Sequence, residues 1–266
     1  MVPWRELLAN PGPDGHIVQL YQDPDFYGEA IAHFSAEGIV RGESIILVAT
    51  AENWKNISGR MTAKGFDNAE LQRRGQLTVL DADLTLPKFI RHNHPDGGIF
   101  KDIARATIRK AHADGKYPRV RWWGEMVNVL YVQGNGRGST RLEELFDEVA
   151  HEEQIAIFCS FLMDKYDKNI YDGPLGDVCR THANLIPTDD YGRHRESVDH
   201  AVSEVFGSLD GEFIRSLGSA RSLSPTGMPS SQALLLWLKQ AVPSKFEEVL
   251  DRARSYEAVL AGRSHA

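Results

Sequence analysis

The stretch HIVQLYQDPDFYGEAIAHF, residues 16–34, decides how the chain is read. An apolar run of strand length, IVQLY (17–21), passes through a short polar loop into a helical pattern. Tyr27, Ile31, Phe34 and Gly38 share one stripe of that helix. Many nucleotide-binding α/β domains begin with strand, loop and helix. A phosphate cradle, however, needs backbone amides opened by glycine, and a lysine. This loop reads QDPDFYGE, two aspartates and a glutamate. ATP binding by a P-loop is not expected.

Working outward, SIILVAT (44–50), QLTVLDA (76–82) and IAIFCSF (155–161) are further apolar runs of strand length, and RVRWWGEM (119–126) is mixed but rich in β-formers. Helical patterns separate them. In 140–151, Leu142, Leu145, Phe146 and Val149 line one face behind a Thr140-x-x-Glu143 capping box. Strands apolar throughout and alternating with helices imply a mostly parallel sheet covered on both faces. The expectation is a three-layer α/β domain over 16–191, after a lead-in of residues 1–15, followed by a helical C-terminal extension over 192–266. In the extension, Val198, Val202, Val205, Phe206 and Leu209 share a face, and a Ser/Gly/Pro-rich linker is expected at about 216–231. Two more helices follow, and LLLW (234–237) is apolar all round, so it must be buried against the main domain or another chain.

The 266 residues carry 30 Lys and Arg against 37 Asp and Glu, a net charge of −7, without a basic run. Nucleic acid is therefore not an expected partner, because phosphate binding needs clustered cations. No signal-peptide pattern opens the chain, and no apolar run reaches the roughly 18 residues that span a bilayer. Two cysteines make no disulfide framework, and a cytoplasmic location is expected.

In an open α/β sheet, ligands bind at the carboxyl ends of the strands. Tyr21, Gln22 and Asp23 fall there, with Thr50, Glu52 and Trp54, then Asp81 and Asp83, then Gly124 and Glu125. Glu125 is either a structural partner of Arg121, four positions back, or a polar anchor at a pocket mouth, with acid–base catalysis a third role. Tyr21 either touches ligand or packs in the core. Trp54 either lines a cavity or caps the core. His16, at the far end of its strand, reads as a structural hydrogen-bonder, and Cys159 as a small core hydrophobe. Cys179 and His182, at i and i+3, would need further ligands to hold metal; none is evident by spacing, so a packed Cys and a capping His are expected. HNHPD (92–96) reads as a solvated loop before a helix start, and GNGRGS (134–139) as a flexible connection rather than an anion site.

The ordered set HIVQLYQD, FSAEGIVRGESIILVATAENW, GQLTVLDADLTL, HPDGGIF, VRWWGEMVNVLY, TRLEELFDEVA, IFCSF and VCRTHANLIPTDDY, from about His16 to Tyr191, resembles the MEDS family, the methanogen/methylotroph, DcmR-type sensory domain. The resemblance implies a RecA/KaiC-like fold whose nucleotide site has degenerated, used to sense small, hydrocarbon-derived ligands. It sets QDPDFYGE in the P-loop slot, Glu52 at the position of an ATPase glutamate, and VRWWGEM in place of the Walker B strand. Asn53 stands where the family usually carries a histidine, which would shift specificity.

Together these readings predict a sensor that binds a small molecule between Tyr21, Glu52, Trp54, Arg121 and Glu125. No catalytic residue, cofactor or metal is expected. His16, Cys159, Cys179 and His182 are expected as structural motif residues. Output would pass by protein contact through 196–260, by self-association or docking to a histidine kinase or transcription regulator. The alternatives are a diverged RecA-like ATPase or transferase using Glu52 and Glu125, and a DNA-binding regulator reading its operator through the C-terminal helices.

Overall fold

The computed structural model describes residues 3–220 and 227–263. It divides into two compact units, one of residues 2–162 and 181–183, the other of 163–180 and 184–266. Residues 163–180 thus join the C-terminal helices, although the sequence reading had set them in the α/β domain.

The α/β unit opens with α1 (Trp4–Ala9), β1 (His16–Tyr21) and α2 (Pro24–Val40). There follow β2 (Ser44–Ala49), α3 (Ala51–Ala63), α4 (Asn68–Arg73), β3 (Leu77–Asp81) and the short α5 (Ala82–Thr85). A two-stranded hairpin, β4 (Ile90–Arg91) and β5 (His94–Pro95), leads into α6 (Gly97–Ala111). Last come β6 (Val120–Gly124), α7 (Met126–Val132), α8 (Gly136–Glu153) and β7 (Ala156–Leu162).

The five long strands run parallel in the order β3-β2-β6-β7-β1. Strand β2 is buried at every position and β6 likewise, as the apolar runs require of strands covered on both faces. Helices α1, α2 and α3 pack together, as do α6, α7 and α8. Trp122 and Trp123, successive residues of β6 and so on opposite faces, are both fully buried. Beneath α2 a buried polar chain crosses three strands: Trp123 Nε1 donates to Ser160 Oγ (3.2 Å), Ser160 Oγ to Gln19 Oε1 (3.3 Å), and Gln19 Nε2 to the Phe26 carbonyl (3.3 Å). Trp123, Ser160 and Gln19 thereby each meet a partner within the layer.

Local geometry departs from the sequence reading at the start of α8. The cap of α8 is Asn135, which accepts from the Gly138 amide, so Thr140 lies inside the helix and bonds back to the Gly136 carbonyl. The Thr140-x-x-Glu143 box is therefore no box, and Glu143 faces the core, buried. HNHPD agrees with the reading of an exposed loop before a helix start: it forms the hairpin turn, with His92 and Asn93 both at positive φ, and Asp96 caps α6 through the Ile99 amide.

In the second unit, α9 (Pro174–Thr181) and β8 (Asn184–Ile186) precede α10 (Tyr191–Phe206), α11 (Ser208–Ala220), α12 (Ser230–Ala241) and α13 (Pro243–Arg263). The span read as a linker is helical through Ala220 and again from Ser230, while 221–226 and the Leu209 side chain lie outside the described residues. Leu234, Leu235 and Leu238 of α12 pack with Val198, Ala201 and Val202 of α10 and with Phe246, Val249, Leu250 and Ala253 of α13. The apolar LLLW run thus finds its burial in the core of its own unit. Among the described residues no helix is long and apolar enough to cross a membrane.

Candidate functional site

The chain leaves β2 toward β3 and leaves β6 toward β7, so the direction of winding reverses between β2 and β6. A crevice opens at such a reversal, at the carboxyl ends of the strands. Glu125, the residue after β6, lies there with 2% exposure. Its Oε1 accepts from the Thr50 amide at the start of α3, and its Oε2 from the Asn53 side chain (2.5 Å) and the Tyr27 hydroxyl (3.2 Å). The carboxylate therefore does the work of an anion at the α3 N-terminus, assisted by Thr50 Oγ1, which accepts from the Asn53 amide.

The neighbouring helix starts are filled in the same way. Asp23 caps α2 by accepting from the Asp25 amide, with Pro24 at the first helical position, and Asp81 caps α5 through the Leu84 amide. Arg60 lies over the first turn of α2 but is committed to Asp25 (2.5 Å) and Asn56 (2.8 Å). It approaches Gly28 so closely that a Cβ there would meet its Nε at 2.5 Å.

A second arm of the site is aromatic. Tyr21 stacks on Tyr27 with ring centroids 4.2 Å apart, and Tyr27 meets the edge of Trp123 at 5.9 Å. Asn128, the polar residue in the apolar turn MVNVLYV, donates to the Tyr21 hydroxyl (3.2 Å) and accepts from the Leu162 amide (2.9 Å). Burial, then the nearby Glu125 charge, pushes the Tyr21 hydroxyl up to about 12, and the same causes hold Tyr27 well above its ordinary value. Both tyrosines are therefore neutral donors at physiological pH. Half-exposed Leu162 and half-buried Tyr21 and Trp54 leave apolar surface at this edge.

Of the five residues read as ligand contacts, Tyr21 and Glu125 stand together here. Trp54 and Glu52 follow on the first turn of α3, Glu52 exposed. Arg121 is elsewhere. Four residues along a strand span about 13 Å, so Arg121 lies toward the opposite end of β6. There its Nε donates to Glu43, and its other nitrogens to the carbonyls of Leu8 (2.8 Å), Ala9 (2.9 Å) and Phe34 (3.1 Å). The Arg121–Glu125 pair does not exist; Arg121 fastens α1 and α2 to the sheet. Reasoning from sequence passed over Tyr27, which shows only as a member of an apolar stripe, and Asn128, whose signal was a lone amide in an apolar turn.

A family model matches residues 15–183: MEDS, the methanogen/methylotroph, DcmR sensory domain. The chain belongs to the MEDS family. No curated protein matches it. The MEDS match covers the whole sheet of the α/β unit and the crevice between β2 and β6, and it also takes in the motif residues His16, Cys159, Cys179 and His182. Three of these four converge. His16 from β1, Cys159 from β7 and His182, just past α9, surround the Glu143 carboxylate of α8, while Cys179 is not part of the group.

Proposed function

We propose that this chain is a non-catalytic sensory module that binds a small, hydrocarbon-derived ligand at the β2/β6 crevice and relays occupancy by protein contact. One observation carries the reading. The starts of α2, α3 and α5 at the ligand edge are each capped by a carboxylate of the chain itself, Asp23, Glu125 and Asp81. A triphosphate would need those amides, and it would meet negative charge where it requires positive. An apolar molecule with one hydrogen-bonding group meets instead the Tyr21–Tyr27 stack, Trp54 and Leu162, with neutral hydroxyls and Asn128 as anchors. Both Glu125 oxygens accept from the chain itself, the α3 start and Tyr27, which supports a positioning role for this carboxylate.

Ligand binding acts on a population: a molecule that favours one arrangement of the α3 start and the β1–α2 loop shifts the balance toward it. The output surface is the helical segment 196–260, through self-association or docking to a histidine kinase or transcription regulator. Titrating the full chain with ATP and magnesium in a calorimeter tests the reading. It expects no heat of binding and no hydrolysis, and a saturable isotherm with phosphate release would replace the sensor by an ATPase. Native mass spectrometry of the purified chain then identifies the ligand class, with the bound mass expected to disappear in Tyr21→Ala.

A further inference from the structure

We propose that His16, Glu143, Cys159 and His182 bind one divalent transition-metal ion, zinc by the nature of the donors, in a closed structural site inside the α/β unit. The four residues come from four different segments and all are buried, with one donor atom of each lying within 4.8 Å of the others. Both imidazoles aim Nε2 at the same oxygen, Glu143 Oε2, from 3.3 Å (His16) and 3.2 Å (His182). Cys159 Sγ lies 3.5 Å from His16 Nε2. In a tetrahedral zinc site the bonds to nitrogen, oxygen and sulfur set donor–donor edges of roughly 3.2–3.6 Å. Three edges of that tetrahedron are already present at their proper lengths.

The surroundings supply what metal-bound histidines require. A ligating imidazole commonly donates its second N–H to a carboxylate or other acceptor, which fixes its orientation. His16 Nδ1 lies 3.5 Å from Asp147 Oδ1, and His182 Nδ1 lies 3.0 Å from Thr181 Oγ1. Each ring therefore turns Nδ1 to an outer partner and Nε2 to the centre. The charges also balance, because a divalent cation, one thiolate and one carboxylate sum to zero, which suits a dry interior. Without the ion, two imidazoles with centroids 4.0 Å apart share a single carboxylate beside a thiol. Two nitrogens, one sulfur and one oxygen in tetrahedral array favour zinc among the first-row ions. Four protein ligands leave no open position, so the role is structural: the ion pins residues 181–183 to β1, β7 and α8.

The inference stands apart from the ligand reading, and the two fail separately. Full-length chain expressed with supplemented zinc is dialysed and its metal counted by mass spectrometry, and cobalt is then exchanged in as a spectroscopic probe. One equivalent per chain is expected, with tetrahedral cobalt bands and a thiolate-to-cobalt charge-transfer band. Cys159→Ser is expected to abolish that charge-transfer band and weaken binding by more than about 100-fold. Cys179→Ser leaves both unchanged. Asp147→Asn, at a half-buried position that alters only the outer partner, keeps the band and lowers affinity by about 10–100-fold. Substoichiometric metal in the wild-type chain overturns the proposal. So does a charge-transfer band that survives Cys159→Ser or is lost with Cys179→Ser.

Discussion

Two charged side chains of one strand show how far a residue's task depends on which end of the sheet it occupies. Glu125 and Arg121 are both 2% exposed, and each is satisfied by several partners from other elements. Replacing Glu125 by alanine strands the part-buried Thr50 amide and Asn53 amide group and the buried Tyr27 hydroxyl. The expected loss is about 3 kcal/mol, read as a lower denaturation midpoint in urea. Arg121→Met leaves the Glu43 carboxylate buried, with only the exposed Arg119 at 3.5 Å to offset it. That change is expected to cost about 3–5 kcal/mol while leaving the β2/β6 crevice intact, so any ligand found in wild-type protein should still bind. The placement of Glu125 at the ligand edge was legible in the sequence, because it follows an apolar strand. Its partners were not. Asn53 and Tyr27 lie 72 and 98 positions away, and nothing in local spacing announces such contacts. Pairing Arg121 with Glu125 failed for a simpler reason, since a helical neighbour distance was applied to a strand.

At the scale of elements, every long strand was legible, four of them as largely apolar runs and β6, mixed in sequence, by its β-formers. The helix start at Asp96 was legible too, whereas α2 begins at Pro24, inside the stretch read as a loop, with Asp23 as its cap. What escaped was structure dictated by distant contacts: Glu143 turned inward on α8, and α11 running on through residues that composition assigned to a linker. Helix α10 carries a pH signature that follows from the same burial. His194 is fully buried, and the Tyr166 hydroxyl lies 2.9 Å from its Nδ1. Burial, then the Lys165 charge, lowers its pKa to about 3, against the smaller opposing pull of Gln232. Glu257 faces the Tyr166 hydroxyl from α13 and is ion-paired with Lys165 (3.2 Å). The unfolded chain protonates this histidine near its ordinary value of about 6.5, whereas the folded chain stays neutral until about pH 3. Between those values the unfolded state holds the extra proton, so stability falls as pH drops. The contribution is full above about pH 6.5 and shrinks by roughly 1.4 kcal/mol per pH unit below it. His194→Asn is expected to flatten the denaturation midpoint between pH 6.5 and 4.5 relative to wild type. An unchanged slope would show that other groups set the acid limit.

For the molecule as a whole, family and fold class were both legible from the order of the motifs, although each motif alone is short and weak. The charge pattern tells which macromolecule the C-terminal helices do not suit. A recognition helix must offer a row of cations that neutralise phosphates, because that term supplies most of the affinity for nucleic acid. In α13 the cations Lys245, Arg252 and Arg254 face carboxylates instead. Lys245 pairs with Glu248 (3.0 Å), Arg252 with Glu204 (3.2 Å) and Glu248 (3.1 Å), and Arg254 with Asp164 (2.6 Å). Next to it, Lys168 pairs with Glu247 at 3.0 Å. A phosphate would have to displace these partners on a chain of net charge −7, whose field repels it at long range. Low salt favours phosphate binding by any surface with free cations and also lengthens the reach of this repulsion, so the contrast is sharpest there. In a gel-shift at low ionic strength, with mixed-sequence duplex DNA in excess, the full chain is expected to cause no retardation. A shifted band that weakens steeply with added salt would mean that the ion pairs of α13 open to phosphate. The output of these helices would then be an operator rather than another protein.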